Sequence, residues 1–175
     1  MSALTTIGSR SPEGGDRRLV VLWVVTAGAV VLHNFEEWLF DLTGWVAVRP
    51  GFPGRALHGD QDQFAVSLAI VTVAVFVLAA AAVAIRPRWS GEALVYVAYA
   101  IVFNGASHVL LSILTQSLMP GVITGVLILL PVGALTIFVQ PAPRWSISGV
   151  TMTIIASVGI AAGALGLASV IMGVK

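Results

Sequence analysis

The chain has 175 residues, of which 58% are hydrophobic and 10% charged, with a mean hydropathy of +0.98 and a net charge of +1. A soluble domain carries about 25% charged residues, so the composition excludes an ordinary soluble domain and points to an integral membrane protein. The near-neutral balance offers no basic surface for nucleic acid. The lack of cysteine excludes disulfides, thiolate metal sites and a cysteine nucleophile.

The polar stretch at residues 1–18, rich in Gly, Ser and acidic and basic groups, reads as a flexible cytoplasmic tail. Arg17 and Arg18 before an apolar run are similar to a twin-arginine signal. No small-x-small cleavage site ends that run, so an uncleaved first membrane helix is expected. A membrane helix needs about 20 mainly apolar residues. Five stretches meet that length, at about 19–40, 64–85, 92–115, 121–139 and 146–172. They predict an all-α, polytopic bundle forming one membrane-embedded domain over 19–175.

The connecting segments carry Gly, Pro, Arg and Trp, as in RPGFPGRALHGDQDQ, RPRWSG and QPAPRWS. Pro-Gly at 120–121 signals a helix start. Trp89 and Trp145 read as interfacial anchors on one side, Trp38 and Trp45 on the other. One side carries Arg10, Arg17, Arg18, Arg86, Arg88 and Arg144, and the opposite side Arg49, Arg55 and Lys175. The positive-inside rule then places the N-terminus in the cytoplasm and the C-terminus outside. The last helix carries Gly159, Gly163 and Gly166. Gly-x-x-x-Gly spacing allows close packing, within the chain by default and otherwise between copies of a homo-oligomer.

The informative segment is LHNFEEWLF at residues 32–40. His33 stands at i,i+3 and i,i+4 to Glu36 and Glu37, a spacing that brings all three to one helix face within about 5–6 Å. Asn104 and His108 are also four apart. At 1.5 Å per residue, His33 lies about 21 Å along its helix from Leu19, and Asn104 and His108 about 18 and 24 Å along theirs from Glu92. Both groups therefore fall in the outer half of the membrane. The loop bearing His58 belongs to that side, so the three histidines are expected to converge. A charged residue at mid-membrane costs about 2.5–3.5 kcal/mol on insertion scales, which argues that these groups serve a site. Taken singly, each has a plainer reading: helix-packing polar group, interfacial acid pair or solvated loop histidine.

His and carboxylate donors without sulfur suit a divalent metal, zinc first, with iron or manganese as further fits. His33, His58, His108 and Glu37 are candidate ligands. Glu36 or Glu37 would act as general base or acid, and Asn104 would orient a ligand or stabilise developing negative charge. The two glutamates are interchangeable at this stage. Asp60 and Asp62 near His58 leave room for a second metal, although solvated loop residues are the plainer reading. The spacing differs from HExxH, which places its glutamate directly after the first histidine.

HNFEE at 33–37, the separate His58 and NGASH at 104–108 together resemble the HXXEE-domain family of bacterial membrane proteins. MPGVITG at 119–125 is similar to the start of that family's next helix. The resemblance covers about residues 19 to 140. It implies that His33, Glu36, Glu37, His58, Asn104 and His108 form the site, and it supplies no substrate. A looser similarity to intramembrane CAAX-type proteases lacks the arginine that follows their paired glutamates. The expectation is a metal-dependent enzyme, hydrolase-like, acting on a lipid or other apolar substrate. A metal-free isomerase or cyclase and a small proton- or metal-coupled transporter are the alternatives.

Overall fold

The computed structural model describes residues 12–52, 55–86, 88–140 and 147–173. Helix α1 is Pro12–Leu39, α2 Leu42–Ala47, α3 Gln61–Ala84 and α4 Ser90–Thr115. Helix α5 is Val122–Val139 and α6 Ile147–Met172. Five of these six helices are long and apolar enough to cross a membrane, so the chain is a multi-pass helical membrane protein. The expected spans match to within about three residues at each end of α3 to α6. Helix α1 starts at Pro12, seven residues before the expected first span and inside what composition suggests is a loose tail. Proline suits a first helical turn, where its missing N–H has no partner to lose. Arg10, Arg144, Trp145 and Lys175, used above for orientation, lie outside the described residues, as does the tail before Pro12.

The helices are held by packing between apolar surfaces and by a few polar contacts, because lipid supplies no hydrophobic drive between helices. Helix α1 packs on α3 and on the α4–α5 pair, and α6 packs mainly on α3. At the end where α1 begins, Trp23 is fully buried with Leu22, Ala79, Ala82 and Leu94. Its indole N–H donates to Ser90 Oγ at 3.1 Å, which ties α1 to the start of α4.

Helices α4 and α5 approach closely, and glycine is the cause. A Cβ on Gly105 would lie 3.0 Å from the Gly125 carbonyl, and one on Gly133 would lie 2.4 Å from Val102 Cγ2. The contact coincides with a π-helical turn at Gly125–Leu129, in which the Leu130 N–H donates to the Gly125 carbonyl. Pro131 follows at once and brings no N–H of its own, so the regular ladder cannot run unbroken through this point. The last helix behaves differently from expectation. A Cβ on Gly159, Gly163 or Gly166 would meet nothing within 4 Å. These glycines therefore serve no close contact among the described residues, and α6 buries Thr153, Ala164, Leu165 and Ala168 instead.

At the other end of the bundle the chain turns sharply after α1. Asp41 takes a left-handed conformation, φ 51°, and its carboxylate accepts from the Gly44 N–H at 2.9 Å and the Thr43 hydroxyl at 2.8 Å. Those two bonds hold the Asp41 carboxyl below the usual carboxylate range, the Gly44 N–H making the larger contribution. The turn leads into α2, whose Leu42 and Val46 pack with Phe64, Met119 and Leu165 beyond the ends of α1 and α4.

Candidate functional site

The site forms where α1 ends, α4 ends and α5 begins, in a region built from HNFEE on α1. Asn34 points to α3 and donates to Thr72 Oγ1 at 2.8 Å. Phe35 is exposed on the outside of the bundle. His33, Glu36 and Glu37 are all buried, and α4 and α5 supply their partners.

Glu37 bridges the two membrane histidines. Its Oε1 lies 3.3 Å from His33 Nε2 and 3.0 Å from His108 Nε2. The imidazoles meet edge to face, with centroids 4.8 Å apart and planes at 84°. Both are nearly inaccessible, at 1% and 3%, while the Glu37 side chain keeps 10% exposure. Glu37 is thus the most exposed of the three side chains.

Both ring nitrogens of His33 are engaged. Nδ1 lies 2.9 Å from Thr124 Oγ1, whose hydroxyl is also 3.4 Å from the Gly121 carbonyl. Nε2 lies 2.8 Å from the Asn104 side-chain amide and 3.3 Å from Glu37 Oε1. His108 adds its Nε2 to the same point, and its Nδ1 is buried without a partner.

Glu36 does something else. Its Oε1 accepts from the N–H groups of Gly121 and Ile123 at 3.2 and 3.1 Å, and its Oε2 from the Thr124 N–H at 2.6 Å. These are donors that the start of α5 leaves without an intrahelical partner. Residues 119–121 are Met-Pro-Gly, with no side-chain oxygen to cap them, so the cap comes from α1, 85 residues earlier. The negative group also sits at the positive end of the α5 dipole.

Gly121 joins the two halves. Its φ of 93° is costly for any residue with a Cβ. A Cβ there would lie 2.6 Å from His108 Cε1 and 2.9 Å from His33 Cε1. The Pro-Gly turn therefore roofs the histidines at van der Waals range.

His33, Glu37 and His108 form the group whose ligand atoms all lie within 4.8 Å of one another. Two of the three pairwise separations, 3.0 and 3.3 Å, approximate a tetrahedron edge of about 3.4 Å expected from bonds of about 2.0–2.1 Å. Two imidazoles and one carboxylate are also a donor set found in catalytic zinc sites and non-haem iron sites. His58 is not brought to this point. It sits between Phe52 and Phe64, ring centroids 6.2 and 6.1 Å away. The expected convergence of three histidines is thus reduced to two, because the aromatic pair on the loop and on α3 holds the third. Asp60 caps α3, accepting from the Gln63 N–H at 2.8 Å, and Asp62 is exposed in its first turn. Neither shares the candidate metal group. Thr124 and Gly121 are the site residues that sequence reading passed over. Their signal was a helix start without a cap of its own.

Fold and site define a polytopic helical membrane protein with a buried His/Glu cluster shared by three helices. The family described as "Protein of unknown function with HXXEE motif" matches residues 23–136, and the chain belongs to it. Neither a curated protein nor a solved structure matches the chain.

Proposed function

We propose that this protein is a membrane-embedded, metal-dependent enzyme of the bacterial inner membrane, acting on a lipid or other apolar substrate. The carrying observation is the buried convergence of His33 Nε2 and His108 Nε2 on Glu37 Oε1, at 3.3 and 3.0 Å. His33, Glu37 and His108 would hold the ion, zinc first and iron or manganese next. A metal with three protein ligands keeps a position for water or substrate, and it supplies Lewis acidity at neutral pH. Glu37 Oε2 is the group placed to take a proton, since Glu36 is occupied by three backbone donors. Asn104 would orient His33 through its side-chain amide, 2.8 Å from Nε2. Hydrolysis is the reaction class this donor set favours, and a cytoplasmic N-terminus places the cluster in the outer half of the membrane.

Elemental analysis of the purified full chain tests the metal. The expected result is one ion per chain, lost in His33→Ala, His108→Ala and Glu37→Gln and retained in His58→Gln. A metal-free wild type, or equal loss on changing His58, would refute it. A second reading rests on the same short contacts. The His33–Glu37–His108 relay joins a carboxylate to two imidazoles at hydrogen-bonding distances, as acid/base isomerisation or cyclisation without a metal requires. Lipid turnover that persists after chelation would favour it.

A further inference from the structure

Asn104, His108, Leu111 and Thr115 stand at i, i+4, i+7 and i+11 on α4, so they share one stripe of that helix. The first two belong to the site. The last two line an open, groove-like cavity of about 420 Å³, bordered also by Arg49, Pro50, Gly51 and Phe52. Leu111 is only about 4.5 Å farther along the helix axis than His108. The cavity and the histidine cluster are therefore stacked along one wall.

Arg49 gives the cavity its chemistry. A basic residue at a membrane interface ordinarily extends into water. Arg49 instead folds back, with its guanidinium carbon 3.8 Å from the Trp45 ring centroid. It donates to the Trp45 carbonyl and, at 2.8 Å, to Ser117 Oγ. Ser117 also accepts from the Trp45 indole N–H at 3.2 Å. The side chain is half-buried and held from three directions. No carboxylate pairs with it among the described residues. A guanidinium carries five N–H donors, and the two bonds leave others to face the cavity. An oriented cation in a partly apolar pocket favours an anionic oxygen group.

We infer that this cavity takes the anionic head of an amphiphilic substrate, seated on Arg49, with its apolar part running along Leu111 toward His108. This rests on the enzyme reading only for the word substrate, since the binding is a property of the cavity itself. The shared chemistry is an anionic oxygen head on an acyl chain, whether phosphate or carboxylate.

Native mass spectrometry of the full chain released from neutral detergent micelles tests it, with phosphatidylglycerol, oleate, phosphatidylcholine and inorganic phosphate as separate probes. At least one of the two anionic amphiphiles should bind about tenfold better than phosphatidylcholine, as a single desolvated charge pair allows. Arg49→Gln should remove that ratio, and Leu111→Trp should reduce binding by filling the wall while leaving Arg49 in place. The ratio is read within each variant, so a general loss of stability does not imitate the result. His33→Gln should keep the ratio, which separates failure of this inference from failure of the metal reading. Equal binding of anionic and zwitterionic lipids, a ratio unchanged in Arg49→Gln, or occupancy by inorganic phosphate in place of both amphiphiles would overturn it.

Discussion

The adjacent glutamates of HNFEE should respond differently to the same substitution. Glu36→Gln keeps the shape of the side chain but replaces one acceptor oxygen with an NH₂ group. Glu36 accepts from three backbone N–H groups through both oxygens. Whichever way the amide is turned, at least one of these donors then faces another donor. The lost charge-assisted bond is worth about 1.5–3 kcal/mol. The lost charge at a partly buried helix N-terminus adds up to about 2 kcal/mol. Together they put the destabilisation near ~3 kcal/mol. At about 2–4 °C per kcal/mol for a chain of this size, the melting temperature should fall by roughly 6–12 °C.

Glu37→Gln should behave otherwise. Both histidines meet the single Oε1, so an amide oxygen turned to that point keeps an acceptor there, and no backbone donor is left unmet. The cost should stay within about 1 kcal/mol, or less than roughly 4 °C. Tryptophan fluorescence followed during heating of detergent-purified protein measures both, and metal content is read on the same samples. A Glu36→Gln variant that melts within about 2 °C of wild type, or a Glu37→Gln variant that falls equally far, would refute this division of roles.

Gly121→Ala places a Cβ on both imidazoles and demands a left-handed backbone from alanine. It should cost at least about 1–3 kcal/mol in strain and lower metal content, read by melting and elemental analysis. Gly133→Val crowds Val102 and the Ala98 carbonyl and should destabilise by about 1–3 kcal/mol. Gly163→Val meets open space and should leave melting within about 2 °C of wild type. Light scattering on the same Gly163 variant reports whether that stripe serves a homo-oligomer, in which case the valine should shift the chain toward monomer.

The five spans were legible because bilayer thickness demands long apolar runs, and such runs stand out against any loop. His33, Glu37, Asn104 and His108 were legible because helical spacing and depth are simple arithmetic on the sequence. What the sequence withheld depended on angles between helices. Nothing in the spacing of His58 told whether its loop would fold over the cluster or hold the ring between Phe52 and Phe64. The Gly-x-x-x-Gly run on α6 carried the familiar packing signal, yet the intimate contact is made by Gly105, Gly125 and Gly133, which are spread over two helices. That contact becomes visible only once the helices are paired.

The division between the glutamates could have been argued from α5. A helix that starts with Met-Pro-Gly inside an apolar bundle has exposed N–H groups and no acceptor of its own. An unmet donor in lipid costs several kcal/mol, so a carboxylate from another helix had to be supplied. Residues i+3 and i+4 on a helix differ by about 100° in direction. One can therefore serve α5 while its neighbour faces the histidines of α1 and α4. Asn34, turned toward Thr72 of α3, extends the same reasoning. Four of five consecutive residues reach α3, α4 and α5, which fixes the rotation of α1 against those helices. The adjacency of the two glutamates thus has a geometric cause: one holds the Pro-Gly turn against the histidines, and the other occupies the space that turn encloses.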